Sequence, residues 1–161
     1  MRGSLISVKY RAMAKTINIS VINGPNLNML GMREPGIYGN VTLAEIETKC
    51  RELASRHKMS MDWFQSNSES ALVEQTHRCV GKADWIIINA AGYTHTSVVL
   101  RDALSLFPGG VIEVHISNIH TRETFRHTSL ISGIARGVIA GFGPASYYMA
   151  VDAIPNLTSE A

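Results

Sequence analysis

Tyr38 stands five residues after Arg33, on the stretch Asn23-Gly-Pro-Asn-Leu-Asn-Met-Leu-Gly-Met-Arg-Glu-Pro-Gly-Ile-Tyr-Gly39. A phenol of pKa ~10 is ionised only about 0.1% at pH 7. A positive charge within ~4–6 Å favours the phenolate, so a tyrosine near an arginine is a way to obtain a strong base. A second pair lies further on, where Glu113 precedes His115 by two residues. Residues two apart on a strand share a face. A carboxylate there fixes the imidazole tautomer and helps keep the ring protonated. Histidines titrate near neutrality, which suits proton donation. An isolated Arg–Tyr pair would be an ordinary rim tyrosine beside a solvated arginine, and a lone histidine a satisfied strand end. Their surroundings give these residues weight.

Those residues need a scaffold, and strand and helix patterns alternate along the chain. The apolar run Ile17–Ile22 reads as a buried strand. The about seventeen residues after it fill a junction where compact α/β proteins spend only a few, as active-site lids and binding loops do. Thr42-Leu-Ala-Glu45 is a capping box, and Leu43, Ile46, Cys50, Leu53 and Ala54 follow at helical spacing to about His57. Met59–Gln65 alternates as a second strand, and a helix is predicted over roughly 69–81. Asp84–Asn89 is a continuous apolar run, typical of a parallel strand covered on both faces. A helix over about 96–106, a strand Val111–His115 and a polar connection Ile116–Thr128 come next. The last strand is expected at about Arg136–Ala140 and the last helix from near Pro144. The expected fold is a single α/β domain with a five-stranded parallel sheet, doubly wound in the flavodoxin-like order 2-1-3-4-5. Ligands of such sheets bind beyond the carboxyl ends of the strands, where strand order reverses. Asn23–Tyr38, Asn89–Thr96 and Glu113–Asn118 all fall at that rim.

Composition narrows the class. The 161 residues suit one domain with one substantial core. Apolar content of 45% and charged content of 17% are globular values, and no run is long enough to cross a bilayer. A net charge of +2, with Lys and Arg scattered, does not make a nucleic-acid footprint. Cys50 and Cys79 sit in helical patterns and read as free core thiols of a reducing cytosol, hence a cytoplasmic protein. Residues 1–13 read as a tag-like, disordered extension with Met13 as the natural start, leaving 14–161 as the catalytic domain.

The rim blocks together resemble type II 3-dehydroquinate dehydratase. The blocks are Asn23-Gly-Pro-Asn-Leu-Asn, Leu30 to Gly39, Gln65-Ser-Asn-Ser-Glu69, Asn89 to Ser97, Leu100-Arg-Asp102, Glu113 to Asn118 and Arg122-Glu-Thr-Phe-Arg126. They run in the family's order from about residue 16 to 150. The resemblance implies removal of water from 3-dehydroquinate to give 3-dehydroshikimate, a shikimate-pathway step, by anti elimination through an enolate, with no cofactor. It implies a homododecamer built as a tetramer of trimers. It also implies that Tyr38 is the base and that Arg33 stabilises the phenolate and the transition state. By the same likeness His115, partnered by Glu113, protonates the departing hydroxyl, and Asn26 holds the water that polarises the enolate oxygen. Ile116 and Ser117 are similar to the residues that take the substrate carboxylate. Asn89 and His95 match positions gripping hydroxyls, Arg126 matches a further substrate ligand, and Asp102 matches a residue reaching a neighbouring subunit's site. His95 is expected to open a helix.

The unrelated second type of this enzyme works through a Schiff-base lysine, whereas Lys15, Lys49, Lys58 and Lys82 lie outside the rim blocks. His57, His77, His120 and His127 are assigned to the surface or to helix packing, and none has convincing metal-ligand spacing. Two other readings stand beside the enzyme of biosynthesis. One is the same reaction in quinate breakdown. The other is a non-catalytic flavodoxin-like module for a phosphorylated ligand. Against the module, Asn23-Gly-Pro-Asn is neither Gly-x-Gly-x-x-Gly nor a Walker pattern, and Pro25 removes an amide that a phosphate cradle needs.

Overall fold

The computed structural model describes residues 15–32 and 40–159. Five strands form one all-parallel sheet: β1 (Asn18–Asn23), β2 (Ser60–Gln65), β3 (Trp85–Asn89), β4 (Gly110–His115) and β5 (Gly137–Ala140), in the order β2-β1-β3-β4-β5. Four helices connect and cover them: α1 (Leu43–Arg56), α2 (Glu69–Cys79), α3 (Val98–Leu106) and α4 (Ala145–Ser159). This is the doubly wound order expected from the sequence.

Each helix start has a local cause. The Thr42 hydroxyl accepts from the Glu45 N–H, and the Glu45 carboxylate accepts from the Thr42 N–H at 2.7 Å, closing the capping box at α1. α3 begins at Val98, two residues later than expected, because Ser97 is its N-cap and accepts from the Leu100 N–H at 2.9 Å. His95 therefore does not open that helix. It closes the short 3-10 turn Ala91–His95 ahead of it. α2 ends at Cys79 because Val80 leaves the helical region, with φ −60° and ψ 124°. The connection after β4 carries two further 3-10 turns, Ile119–Thr121 and Thr124–Arg126.

The continuous apolar strands are explained by helices on both faces. Val21, Ile87 and Val114 pack with Ile46, Cys50, Ala150 and Ile154 of α1 and α4. Ile22, Ile86 and Ile88 face the other way, against Leu72, Leu100 and Leu104 of α2 and α3. No helix among the described residues is long and apolar enough to cross a membrane.

Register brings the polar strand ends together. Asn23 stands opposite Gln65 on one side and Asn89 on the other. The chains leaving β1 and β3 then cross closely: the Gly24 N–H donates to the Asn89 carbonyl at 2.7 Å, and a Cβ at Gly24 would run into the Ala90 carbonyl. Only glycine fits that crossing.

Candidate active site

Beyond the carboxyl ends of β1, β3 and β4 lies a cleft of about 170 Å³, at the reversal of strand order. Three strand exits build it, and each brings polar groups.

From β1 comes Asn26, which lines the cleft in the left-handed region at φ 66°, a conformation asparagine tolerates better than most residues. Its N–H donates to Oδ1 of Asn67 at 2.9 Å, fastening the loop to the chain after β2.

From β3 comes Asn89, only 3% exposed. Its polar atoms belong to a chain of hydrogen bonds with one direction. The Ala91 N–H donates to Asn89 Oδ1 at 3.2 Å, and Asn89 Nδ2 donates to Oη of Tyr147 at 2.8 Å. The Tyr147 hydroxyl donates to Asn23 Oδ1 at 2.7 Å, and Asn23 Nδ2 donates to the Phe64 carbonyl at 3.2 Å. A backbone donor and a backbone acceptor end the chain, so the amide orientations are forced. Asn89 keeps one N–H and one lone pair for a ligand. Ala91 holds φ 50°, a strained value for a residue with a Cβ, at the cleft wall. Burial pushes the Tyr147 phenol far above its ordinary range, so this tyrosine stays neutral and serves as a bridge.

From β4 come Glu113 and His115, on the same face as their spacing requires. Glu113 is fully buried and His115 is 5% exposed at the cleft. Nε2–H of His115 donates to Oε1 of Glu113 at 2.6 Å, a charge-assisted distance. Ser129 donates to the same oxygen at 2.8 Å, and Ser132 donates to Oε2 at 2.6 Å. Burial alone would raise the Glu113 pKa. The hydrogen bonds from His115 and Ser132, the charge of His115 and the Ser129 bond outweigh it and hold the carboxyl below its ordinary value. With Nε2 committed, Nδ1 is the nitrogen His115 has left for other partners.

His95 stacks on His115, ring centroids 6.5 Å apart and 18° from parallel. Its Nδ1–H donates to the Thr128 carbonyl at 2.8 Å, which leaves Nε2 as an acceptor in the neutral ring. Burial lowers the His95 pKa, and the positive charges of His115 and Arg126 add to that against the Thr128 bond and the Glu113 charge. Ile116 and Ser117 follow His115 along the cleft wall, and the Ile116 carbonyl accepts from the Gly143 N–H at 2.9 Å. Arg122 and Arg126 line the far side, with Nε of Arg126 donating to Glu123 at 2.8 Å. Two guanidiniums, two histidines and two amides in one cleft suit a small polyhydroxylated acid. No lysine lines the cleft among the described residues, and Lys15 lies at the opposite end of the sheet, paired with Asp84 at 2.8 Å.

Of the residues expected from the sequence, seven line this cleft: Asn26, Asn89, His95, His115, Ile116, Ser117 and Arg126. Glu113 stands directly behind His115. Asp102 is absent from the cleft wall; its side chain is 63% exposed on α3, 3.2 Å from Nη1 of Arg101. Tyr38 and Arg33 lie outside the described residues.

The family Dehydroquinase class II matches residues 17–155. The chain belongs to the class II dehydroquinase family. It is similar to the 3-dehydroquinate dehydratase of Synechococcus, 51% identical over 87% of this chain and 95% of that one. The 3-dehydroquinate dehydratase of Rhizobium johnstonii is likewise 51% identical, over 89% of this chain and 99% of that one. In three dimensions the chain is similar to the type II dehydroquinase of Butyrivibrio crossotus, with a TM-score of 0.85 and 39% identity over 87% of this chain and 98% of that one.

Within this class II dehydroquinase, sequence reading missed Ser129, Ser132, Tyr147 and the cleft position of Arg122. The Arg122/Arg126 spacing on a polar connection was a usable signal for the last. For the serines and Tyr147 no local pattern distinguishes them from neighbouring turn and helix residues.

Proposed function

We propose that the cleft carries out anti elimination of water from 3-dehydroquinate through an enolate, with 3-dehydroshikimate as product. The activity itself, dehydration of 3-dehydroquinate by a hydro-lyase of the shikimate pathway, is that of the family to which residues 17–155 belong. The observation that carries the finer reading is the buried Glu113–His115 pair at the cleft, with Asn26, Asn89, His95 and Arg126 around it.

The Tyr38 phenolate, kept ionised by Arg33, takes a proton α to the ketone, and the C–H electron pair moves into an enolate. Asn26 holds the water that donates to the enolate oxygen; neutral donors suit a developing oxyanion in a preorganised site. The enolate then collapses, the C–O bond breaks, and His115 gives its proton to the departing hydroxyl, which leaves as water. Glu113 orients the imidazole through Nε2 at 2.6 Å. The backbone at Ile116 and Ser117 receives the substrate carboxylate, Asn89 and His95 grip hydroxyls, and Arg126 adds charge complementarity.

In this reading residues 14–161 form the catalytic unit, the enzyme is cytoplasmic, and twelve chains assemble as a tetramer of trimers. The exposure of Asp102 on α3, away from its own cleft, supports its service to a neighbouring subunit's site. The test is growth of absorbance from the conjugated enone when the protein meets 3-dehydroquinate. Borohydride added in parallel exposes an imine if one forms. Turnover that survives borohydride is expected, and a borohydride-trapped adduct would overturn this mechanism.

A further inference from the structure

We infer that Ser132, carried on a turn that Ser129 organises, is a positioning residue of the elimination, acting through Glu113 on the proton-donating histidine. This rests on the reading of His115 as the general acid.

Glu113 is a fully buried carboxylate, and its oxygens are served unequally. Oε1 accepts from both His115 at 2.6 Å and Ser129 at 2.8 Å, while Oε2 is held by Ser132 at 2.6 Å. An ionised carboxylate only accepts, so each serine spends its single hydroxyl proton on Glu113. The two serines also differ from each other. Ser129 Oγ accepts from the N–H groups of Ile131 and Ser132, both at 3.0 Å, and so builds the turn that presents Ser132. Among the described residues the Ser132 hydroxyl has no such second task, which makes it the cleaner probe.

Removing the Ser132 hydroxyl leaves a buried carboxylate oxygen without its donor. The negative charge then concentrates on the side of His115, and the carboxylate is free to turn about its last torsion. A stronger acceptor on Nε2 stabilises the imidazolium, so the ring gives up its Nδ1 proton less readily, and a turned acceptor misdirects the ring. Either change weakens protonation of the leaving hydroxyl without touching the group that removes the α-proton. Among the described residues, the other charged or titratable groups lining the cleft beside this pair are His95, stacked at 6.5 Å, Arg122 and Arg126. The Ser132 hydroxyl donates to Glu113, so its effect is carried there.

The experiment uses the full chain and compares Ser132→Ala, Ser132→Thr and His115→Gln. Dehydration is followed by enone absorbance and α-proton exchange by deuterium uptake into recovered 3-dehydroquinate. The proton bridging His115 and Glu113 is followed by low-field NMR. Ser132→Ala should lower kcat for dehydration roughly 10- to 50-fold, below the ~10²–10⁴-fold that general acid help supplies in full. KM should stay nearly constant and exchange should fall less. The bridging resonance should move, and Ser132→Thr, which keeps the hydroxyl, should restore both rate and resonance. If Ser132→Ala does not fold, Ser132→Cys keeps the volume with a weaker donor and must show the same split. Native dehydration in the alanine or cysteine variant, an equal loss of both processes, or an unmoved resonance would overturn the inference while leaving His115 as the acid. Normal dehydration by His115→Gln would overturn the acid assignment itself, and the role of Ser132 with it.

Discussion

Replacing Tyr147 with phenylalanine removes one oxygen from a site with no access to solvent. That oxygen gives its proton to Asn23 Oδ1 at 2.7 Å and accepts one from Asn89 Nδ2 at 2.8 Å. The ring itself is preserved, so packing against Trp63, at a centroid distance of 5.9 Å, should change little. The loss is two buried amide groups left without that partner, each costing about 1–3 kcal/mol. Asn23 and Asn89 keep their backbone bonds to Phe64 and Ala91, which argues for the lower half of the combined range. We expect destabilisation of about 2–3 kcal/mol, a drop in Tm of roughly 4–12 °C for a domain of this size. Urea denaturation at one fixed protein concentration measures it, since assembly shifts apparent stability by mass action. Tyr148→Phe, at a half-buried neighbour, is the control. Because Asn89 is then held at one atom in place of two, KM for 3-dehydroquinate should rise more than kcat falls. A change below about 0.5 kcal/mol, within the range of ordinary surface substitutions, would refute the assignment of Tyr147 as the bridge between β1 and β3.

Tyr38→Phe should abolish dehydration and deuterium exchange together, whereas His115→Gln should slow dehydration and spare more of the exchange; NMR of recovered substrate separates the two, and active Tyr38→Phe would sink the proposed base. Light scattering should report about twelve chains, with activity falling as the particle dissociates; a fully active monomer would show that Asp102 serves no neighbour. The carboxyl of Glu113 is held below its ordinary value, so its contribution to stability is present above its unfolded pKa of ~4.3 and is lost as pH falls through the lower folded value. The stability gap between the native chain and Glu113→Gln, read from urea midpoints, should therefore shrink on acidification, and a gap independent of pH would contradict the buried ionised state.

Periodicity in the sequence determined the architecture and half of the site. Apolar runs such as Ile86-Ile-Ile88 demand cover on both faces, and the Thr42–Glu45 box places a helix start to the residue. The two-residue spacing of Glu113 and His115 put carboxylate and imidazole on one face, and strand order put both at the rim. These features are local, set by backbone geometry that repeats every two or 3.6 residues. Tertiary structure decided what holds the reactive groups still. Tyr147 reaches Asn23 across 124 residues of chain, and Ser129 and Ser132 reach Glu113 across 16 and 19. A hydroxyl on a helix or turn carries no sign of the partner it will meet, because that partner is chosen by the packing of α4 and of the β4–β5 connection onto the sheet. The start of α3, by contrast, is local: the Leu100 N–H donates to Ser97 three residues before it, a serine ahead of an apolar run is an N-cap signal, and His95 is left on the turn before the helix.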